Sequence, residues 1–265
     1  MDPRSVFSVA QRKPDAALRL LCFPHAGGGP TAFFPWIALL APEIECVSIQ
    51  YPGRGQRFRE GSLTGISYLV GEIAAHVAEI VDRPFALYGH SLGGLVAFEL
   101  ARLLRRLGSP APEHLFVGAS RPPHLGPVLP TIHELPDSEF VDVLQTRYGG
   151  IPTAIYQDRE LLNLFMVPMR ADFTAYELYR LLPEAPIGVP ITAFAATEDQ
   201  AATPSTMQEW ARHTAAQFDL KILPGGHFFP PDSVARVVQT IRGRLLGRRP
   251  APPKGAGVES ISVCR

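Results

Sequence analysis

Short apolar runs alternate with stretches of helical periodicity along most of this chain. Runs at 18–23, 45–49, 85–88, 114–119, 191–196 and 220–223 have the length and bounding turns of buried strands. Between them, apolar residues recur every three or four positions. Phe33, Trp36, Ile37 and Leu40 predict a helix starting near Thr31. Ile66, Leu69, Val70, Ile73, Val77 and Ile80 predict one over 66–81, stopped by Arg83-Pro84. Leu95, Phe98, Leu100 and Leu103 predict a helix running to Gly108, and further helices are expected over 204–215 and about 232–246. Strands alternating with helices predict an α/β fold with a mostly parallel, doubly wound sheet. In such a sheet ligands gather beyond the carboxyl ends of the strands. His25, Ser91, Asp199 and His227 all fall just past predicted strand ends.

The alternation breaks between about 124 and 186, where helical character covers Asp137 to Tyr148 and Asp158 to Leu182 without a strand-like run. This is expected to be a helical insertion over the site, a lid within a single domain spanning 1–265. Leu161, Leu162, Leu164, Phe165, Met166, Val167, Met169, Phe173, Tyr176 and Tyr179 supply large apolar groups. Most should pack against the body, and some should line an apolar channel, with the two methionines giving the wall adaptable shape. The stretch from Arg248 onward has no periodic pattern, and 248–265 is expected to be a mobile tail.

Composition narrows the class. Lys+Arg and Asp+Glu are both 25, so the formal net charge is zero and neither nucleic acid nor membrane is an expected partner. The three cysteines, Cys22, Cys46 and Cys264, show no CxxC spacing, which argues against a disulfide framework or a metal site. The first residues lack an apolar core and no apolar run approaches the roughly 18 residues of a membrane span. A cytoplasmic protein is expected.

The chemistry centres on Gly89-His90-Ser91-Leu92-Gly93, between an apolar strand and an apolar helix. The glycines let the backbone turn sharply, and the turn lifts the Ser91 hydroxyl above the strand end, with the free N–H groups of a helix N-terminus beneath it. A serine so held is a candidate nucleophile. It needs a base, and the base needs an orienting carboxylate. In the α/β-hydrolase fold these follow in the order serine, acid, histidine. His227 follows Pro224-Gly225-Gly226 after a strand, and Asp199 begins a polar turn after another, with Glu198 in reserve. His213 falls on a helix and reads as structural. Asp219 precedes its expected strand, at the wrong edge. Oxyanion donors are expected from the backbone N–H groups of Leu92 and Ala26. His25 and His90, beside those loops, read as packing or bracing groups. These parts specify acyl transfer to Ser91 and then hydrolysis. They leave a carboxylesterase or an acyltransferase open.

Six stretches together resemble the type II, editing thioesterases of modular polyketide and nonribosomal peptide synthases. They are Phe23-Pro24-His25-Ala26-Gly27-Gly28, Gln50-Tyr51-Pro52-Gly53-Arg54-Gly55, Gly89-His90-Ser91-Leu92-Gly93-Gly94, Leu135-Pro136-Asp137, Arg170-Ala171-Asp172-Phe173 and Leu223-Pro224-Gly225-Gly226-His227-Phe228-Phe229. The resemblance covers about 20 to 230. It implies nucleophile Ser91, acid Asp199, base His227 and oxyanion donors Ala26 and Leu92. The family's Gly-Asp-x-Asp-Pro appears here as Ala196-Thr197-Glu198-Asp199-Gln200, without the glycine and proline. The resemblance further implies hydrolysis of acyl thioesters on the phosphopantetheine arm of acyl or peptidyl carrier proteins. That arm belongs to the partner, so no cofactor or metal of the enzyme's own is expected, and a monomer suffices. Arg54, Arg170 and Asp172 lie in family motifs and are expected to form an ion pair or loop brace.

Overall fold

Seven strands form one sheet in the order β1-β3-β2-β4-β5-β6-β7 in the computed structural model, which describes residues 6–149, 151, 155 and 157–247. The strands are β1 (Phe7–Ser8), β2 (Leu18–Phe23), β3 (Ile44–Ile49), β4 (Phe85–His90), β5 (Leu115–Gly118), β6 (Ile191–Ala196) and β7 (Phe218–Leu223). All neighbours run parallel except β1, which pairs antiparallel with β3 through Phe7 and Ile49. This is the doubly wound arrangement that the strand–helix alternation predicts. The two-residue β1 carries too short a pattern to be visible beforehand. β7 begins at Phe218, so Asp219 lies inside the strand at its amino end rather than ahead of it.

The helices are α1 (Phe34–Leu40), α2 (Ile66–His76), α3 (Leu92–Arg106), α4 (Asp137–Arg147), α5 (Arg159–Leu178), α6 (Pro204–Gln208) and α7 (Pro231–Leu246). Three expected helices are partly 3-10. The stretch 30–33 winds tightly before α1, 77–79 ends α2, and 209–213 continues α6.

The period-2 geometry of the strands sorts their side chains to two faces. In β2, Leu18, Leu20 and Cys22 join Trp36 and Leu40 of α1 and Val237 and Ile241 of α7. Leu21 and Phe23 join Ile66, Leu69 and Ile73 of α2 and the apolar face of α3 on the other side. Leu20, Leu21, Leu87 and Leu115 are wholly buried, each stabilising the fold by roughly 1.5–3 kcal/mol. Cys22 and Cys46 sit in these buried strands with their sulfurs 3.7 Å apart as free thiols.

The insertion between β5 and β6 carries α4 and α5 with a core of its own, in which Ile132, Phe140, Leu144, Met166, Met169 and Phe173 meet. Arg170 ties α5 to the segment before α4. It donates to the carbonyls of His133 at 2.6 Å and Leu135 at 2.8 Å, pairs with Asp137, and lies 4.4 Å over the Phe140 ring. Glu177 accepts from the backbone N–H groups of Ile132 and His133. Of the ten large apolar residues of this insertion, Leu161, Leu164 and Val167 face solvent and the other seven are buried or half-buried, as expected of most of them. The segment 248–265 lies outside the described residues, and with it Cys264. Among the described residues no helix is long and apolar enough to cross a membrane.

Candidate active site

Ser91 stands between β4 and α3 with φ +53° and ψ −120°, a conformation that costs a non-glycine residue on the order of 1–3 kcal/mol. Two backbone hydrogen bonds hold it there. Ser91 N–H donates to Gly118 O at 2.8 Å, and Gly94 N–H donates to Ser91 O at 3.0 Å. Close packing explains the flanking glycines. A Cβ on Gly89 would lie 2.1 Å from the Gly93 carbonyl oxygen, and one on Gly93 would lie 2.1 Å from that of Phe23.

The loops after β6 and β7 bring the other two groups to this point. His227 Nε2 lies 3.0 Å from Ser91 Oγ, and its Nδ1 lies 2.9 Å from Asp199 Oδ2. The carboxylate forces the tautomer, because Nδ1 must donate to it and Nε2 is left to accept from the serine hydroxyl. Asp199 is buried, and its Oδ1 accepts from the N–H groups of Ala201 at 2.9 Å and Ala202 at 3.1 Å. Burial alone would raise its pKa. The hydrogen bond and charge of His227 and the two amides outweigh that and hold the carboxyl below its ordinary value. Those two amides close the turn that the absent glycine and proline would otherwise shape. Glu198, the reserve candidate, is exposed.

Three other histidines, His25, His90 and His213, read from the sequence as packing, bracing or structural groups. Burial lowers His25 to about 4, helped by the neighbouring His227 ring and the Arg54 charge. Its ring meets Phe228 edge-on at 4.8 Å. His90 is also buried and held well below its ordinary pKa. His213 lies in the 3-10 turn after α6, with its Nε2 2.7 Å from His124 Nδ1. Among the described residues no group of three His, Cys, Asp or Glu side chains could hold a metal ion.

Ser91 opens into a cleft with two compartments. One, of about 20 Å³, is lined by Ala26, Leu92, Ala119, Arg121, Val128, Tyr176 and the Ala201-Ala202 turn. The other, of about 320 Å³, runs under α5 past His25, the 27–29 glycines, Phe165, Met169 and Phe228. Tyr148, Phe173 and His227 border both. The channel residues expected of the insertion are thus Phe165, Met169, Phe173 and Tyr176. Tyr148, whose ring lies 5.0 Å from that of His227, was named only as a helix end, and helical periodicity carries no signal of its place here. Ala26 and Leu92 share the smaller compartment with Ser91, and among the described residues no acceptor takes the Ala26 N–H. A nucleophile–imidazole–carboxylate line beside an unpaired amide can form and break an acyl–serine bond.

Fold and site together define an α/β-hydrolase with a serine nucleophile elbow. Residues 18–245 match the thioesterase domain family, and the chain belongs to it. It is a thioester hydrolase, and its relatives are type II thioesterases of nonribosomal peptide and polyketide clusters. It is 36% identical over 224 residues to the gramicidin S biosynthesis protein GrsT of Aneurinibacillus migulanus, covering 84% of this chain and 87% of that one. Among solved structures, RedJ, a thioesterase from the prodiginine biosynthetic pathway of Streptomyces coelicolor, superposes with a TM-score of 0.82 at 36% identity, covering 90% of each chain. BorB, the type II thioesterase of the borrelidin biosynthetic cluster, gives 0.80 at 33% identity over 89% of this chain and 95% of its own.

Proposed function

We propose that this enzyme clears stalled or aberrant acyl groups from the phosphopantetheine arms of acyl or peptidyl carrier proteins. It would do so in the cytoplasm, as a monomer, beside a polyketide or nonribosomal peptide synthase. The observation that carries the reading is the Ser91–His227–Asp199 line, with 3.0 and 2.9 Å contacts, at the floor of a cleft roofed by α5.

In this reading Ser91 Oγ attacks the thioester carbonyl as His227 Nε2 takes its proton. The N–H groups of Ala26 and Leu92 receive the developing oxyanion. His227, positively charged and facing the Asp199 carboxylate, returns the proton to the departing pantetheine sulfur. Water then enters, gives a proton to the same nitrogen and adds to the acyl carbonyl; the acyl–Oγ bond breaks, Ser91 takes the proton back from His227, and the carboxylic acid leaves. No cofactor of the enzyme's own takes part. The 320 Å³ compartment has room for a flexible arm arriving from a partner.

The test is mass spectrometry of one carrier protein loaded with acetyl, propionyl or longer acyl groups, with the matching CoA thioesters in parallel. Ser91-dependent return of the carrier to free thiol, faster than hydrolysis from CoA, is expected. Ser91→Ala should abolish turnover and keep the native circular dichroism spectrum. Carriers that stay loaded while free esters are consumed would overturn the carrier assignment.

A further inference from the structure

Asp172 lies in α5 with no solvent exposure, where a bare carboxylate would be very costly. Its partners come from two separate loops. Arg54, from the loop after β3, reaches it with both Nη1 and Nη2, the latter at 2.8 Å. The backbone N–H of Gly27, in the loop after β2, donates to the same Asp172 Oδ2 at 2.7 Å. Arg54 is itself buried, sits 5.4 Å over the Tyr51 ring, and also donates to the carbonyl oxygen of Gly28 at 3.3 Å. The pair therefore grips the glycine loop twice, by a donor at Gly27 and an acceptor at Gly28.

That loop is a tight turn closed by Gly28 N–H donating to His25 O at 2.9 Å, with Ala26 and Gly27 at its centre and Gly27 at φ +72°. Turning the Ala26–Gly27 peptide would swing the Ala26 backbone with it. Met169, one helical turn before Asp172, closes the space above. A Cβ on Gly27 would lie 2.4 Å from its terminal methyl. A buried ion pair is by itself a weak stabiliser, and an apolar pair could fill the same volume. An apolar pair could not fix the Gly27 N–H.

We infer that Arg54 and Asp172 are positioning residues for the oxyanion loop, through which helix α5 sets the direction of the Ala26 N–H. This rests on the assignment of Ala26 as an oxyanion donor. The roof over the cleft and the hole at its floor are then one mechanical unit, and the hole is in register only while α5 is seated.

The experiment compares wild type, Asp172→Asn, Arg54→Lys and the volume-matched double variant Arg54→Met/Asp172→Leu, each normalised by active-site titration. Two readouts run together: steady-state hydrolysis of an acyl thioester, and the rate at which a fluorophosphonate labels Ser91, which needs the oxyanion hole but no carrier. The double variant should keep its melting temperature within a few degrees and lose about 100-fold in both kcat and labelling rate, with KM within about two-fold. Asp172→Asn, which keeps an acceptor for Gly27, and Arg54→Lys, which keeps the charge but not the two-pronged grip, should each lose about ten-fold in labelling rate. A double variant with native kcat and labelling rate per titrated site would overturn the inference. If it fails to fold, the two conservative variants decide in its place, since labelling at the wild-type rate in both would overturn it equally. Should wild type label normally yet leave every thioester intact, the thioesterase reading fails, and the labelling rates still judge the positioning role.

Discussion

His90 Nε2 lies 2.9 Å from the carbonyl oxygen of His227, so the residue before Ser91 holds the backbone of His227. A carbonyl only accepts, which makes Nε2 the protonated nitrogen. Nδ1 is then left to accept from the Tyr88 hydroxyl at 3.2 Å. Burial keeps this imidazole neutral. His90→Ala should release the His227 loop and lower kcat about 10- to 100-fold with KM little changed. His90→Gln, which can still donate, should recover part of the loss. Steady-state kinetics with a native circular dichroism spectrum check this, and an unaltered kcat in His90→Ala would remove the brace.

Gly93 gives a prediction about stability. Its hydrogen faces the carbonyl oxygen of Phe23, and a methyl group there would overlap it at 2.1 Å. Gly93→Ala must push α3 off the end of β2, at a cost of roughly 3 kcal/mol or more. A fall of about 10 °C in melting temperature is expected in a chain of this size. Gly243→Ala, at a position with open space around it, is the control that should leave the melting temperature nearly unchanged.

Tyr148 divides the two compartments of the cleft. Tyr148→Ala should join them and raise the ratio of kcat/KM for octanoyl over acetyl thioesters about ten-fold, the effect of roughly 1.4 kcal/mol of added apolar contact. Tyr148→Phe should leave the ratio as it is. Equal ratios in all three proteins would show that the ring does not set acyl length.

Acid should unfold this protein earlier than its carboxylates alone require. His25 and His213 are lowered to about 4 by burial, and His90 well below its ordinary value. In the unfolded chain each takes a proton near pH 6.5. Between pH 6.5 and about 4 the unfolded state therefore binds more protons, and stability falls as pH falls through that window. Asp199, also lowered, adds a loss only below its unfolded value near 3.9. Urea titrations at stepped pH should give a midpoint that drops from pH 7 to 4.5, less steeply in His213→Gln. A flat profile would contradict neutral burial of these rings.

The elbow was legible because every property it needs is local. A strand, two glycines and a helix lie within about twenty consecutive residues, and strand ends reveal which edge Asp199 and His227 occupy. Asp199 and Glu198 could be ranked by turn position but not separated, since burial of the one and exposure of the other depend on β7 packing beside β6. The Arg54–Asp172 contact joins positions 118 apart, with no periodicity linking them, so the sequence offered only two charges in two motifs. β1 is held by its antiparallel pairing with β3 rather than by a pattern of its own. The break of the 204–215 helix into a 3-10 turn follows from Trp210, whose indole N–H reaches back to the carbonyl oxygen of Ser120 at 2.6 Å.

Ser91 precedes His227 by 136 positions, and Asp199 and His227 come from the loops after the last two strands. A ribosome delivers the chain from its amino end, so the elbow leaves the tunnel long before anything can take the proton from its serine. Edge strand β7 must dock on β6 before His227 reaches Ser91. A nascent chain thus carries a mute hydroxyl until the strands that bring Asp199 and His227 to it have emerged and docked.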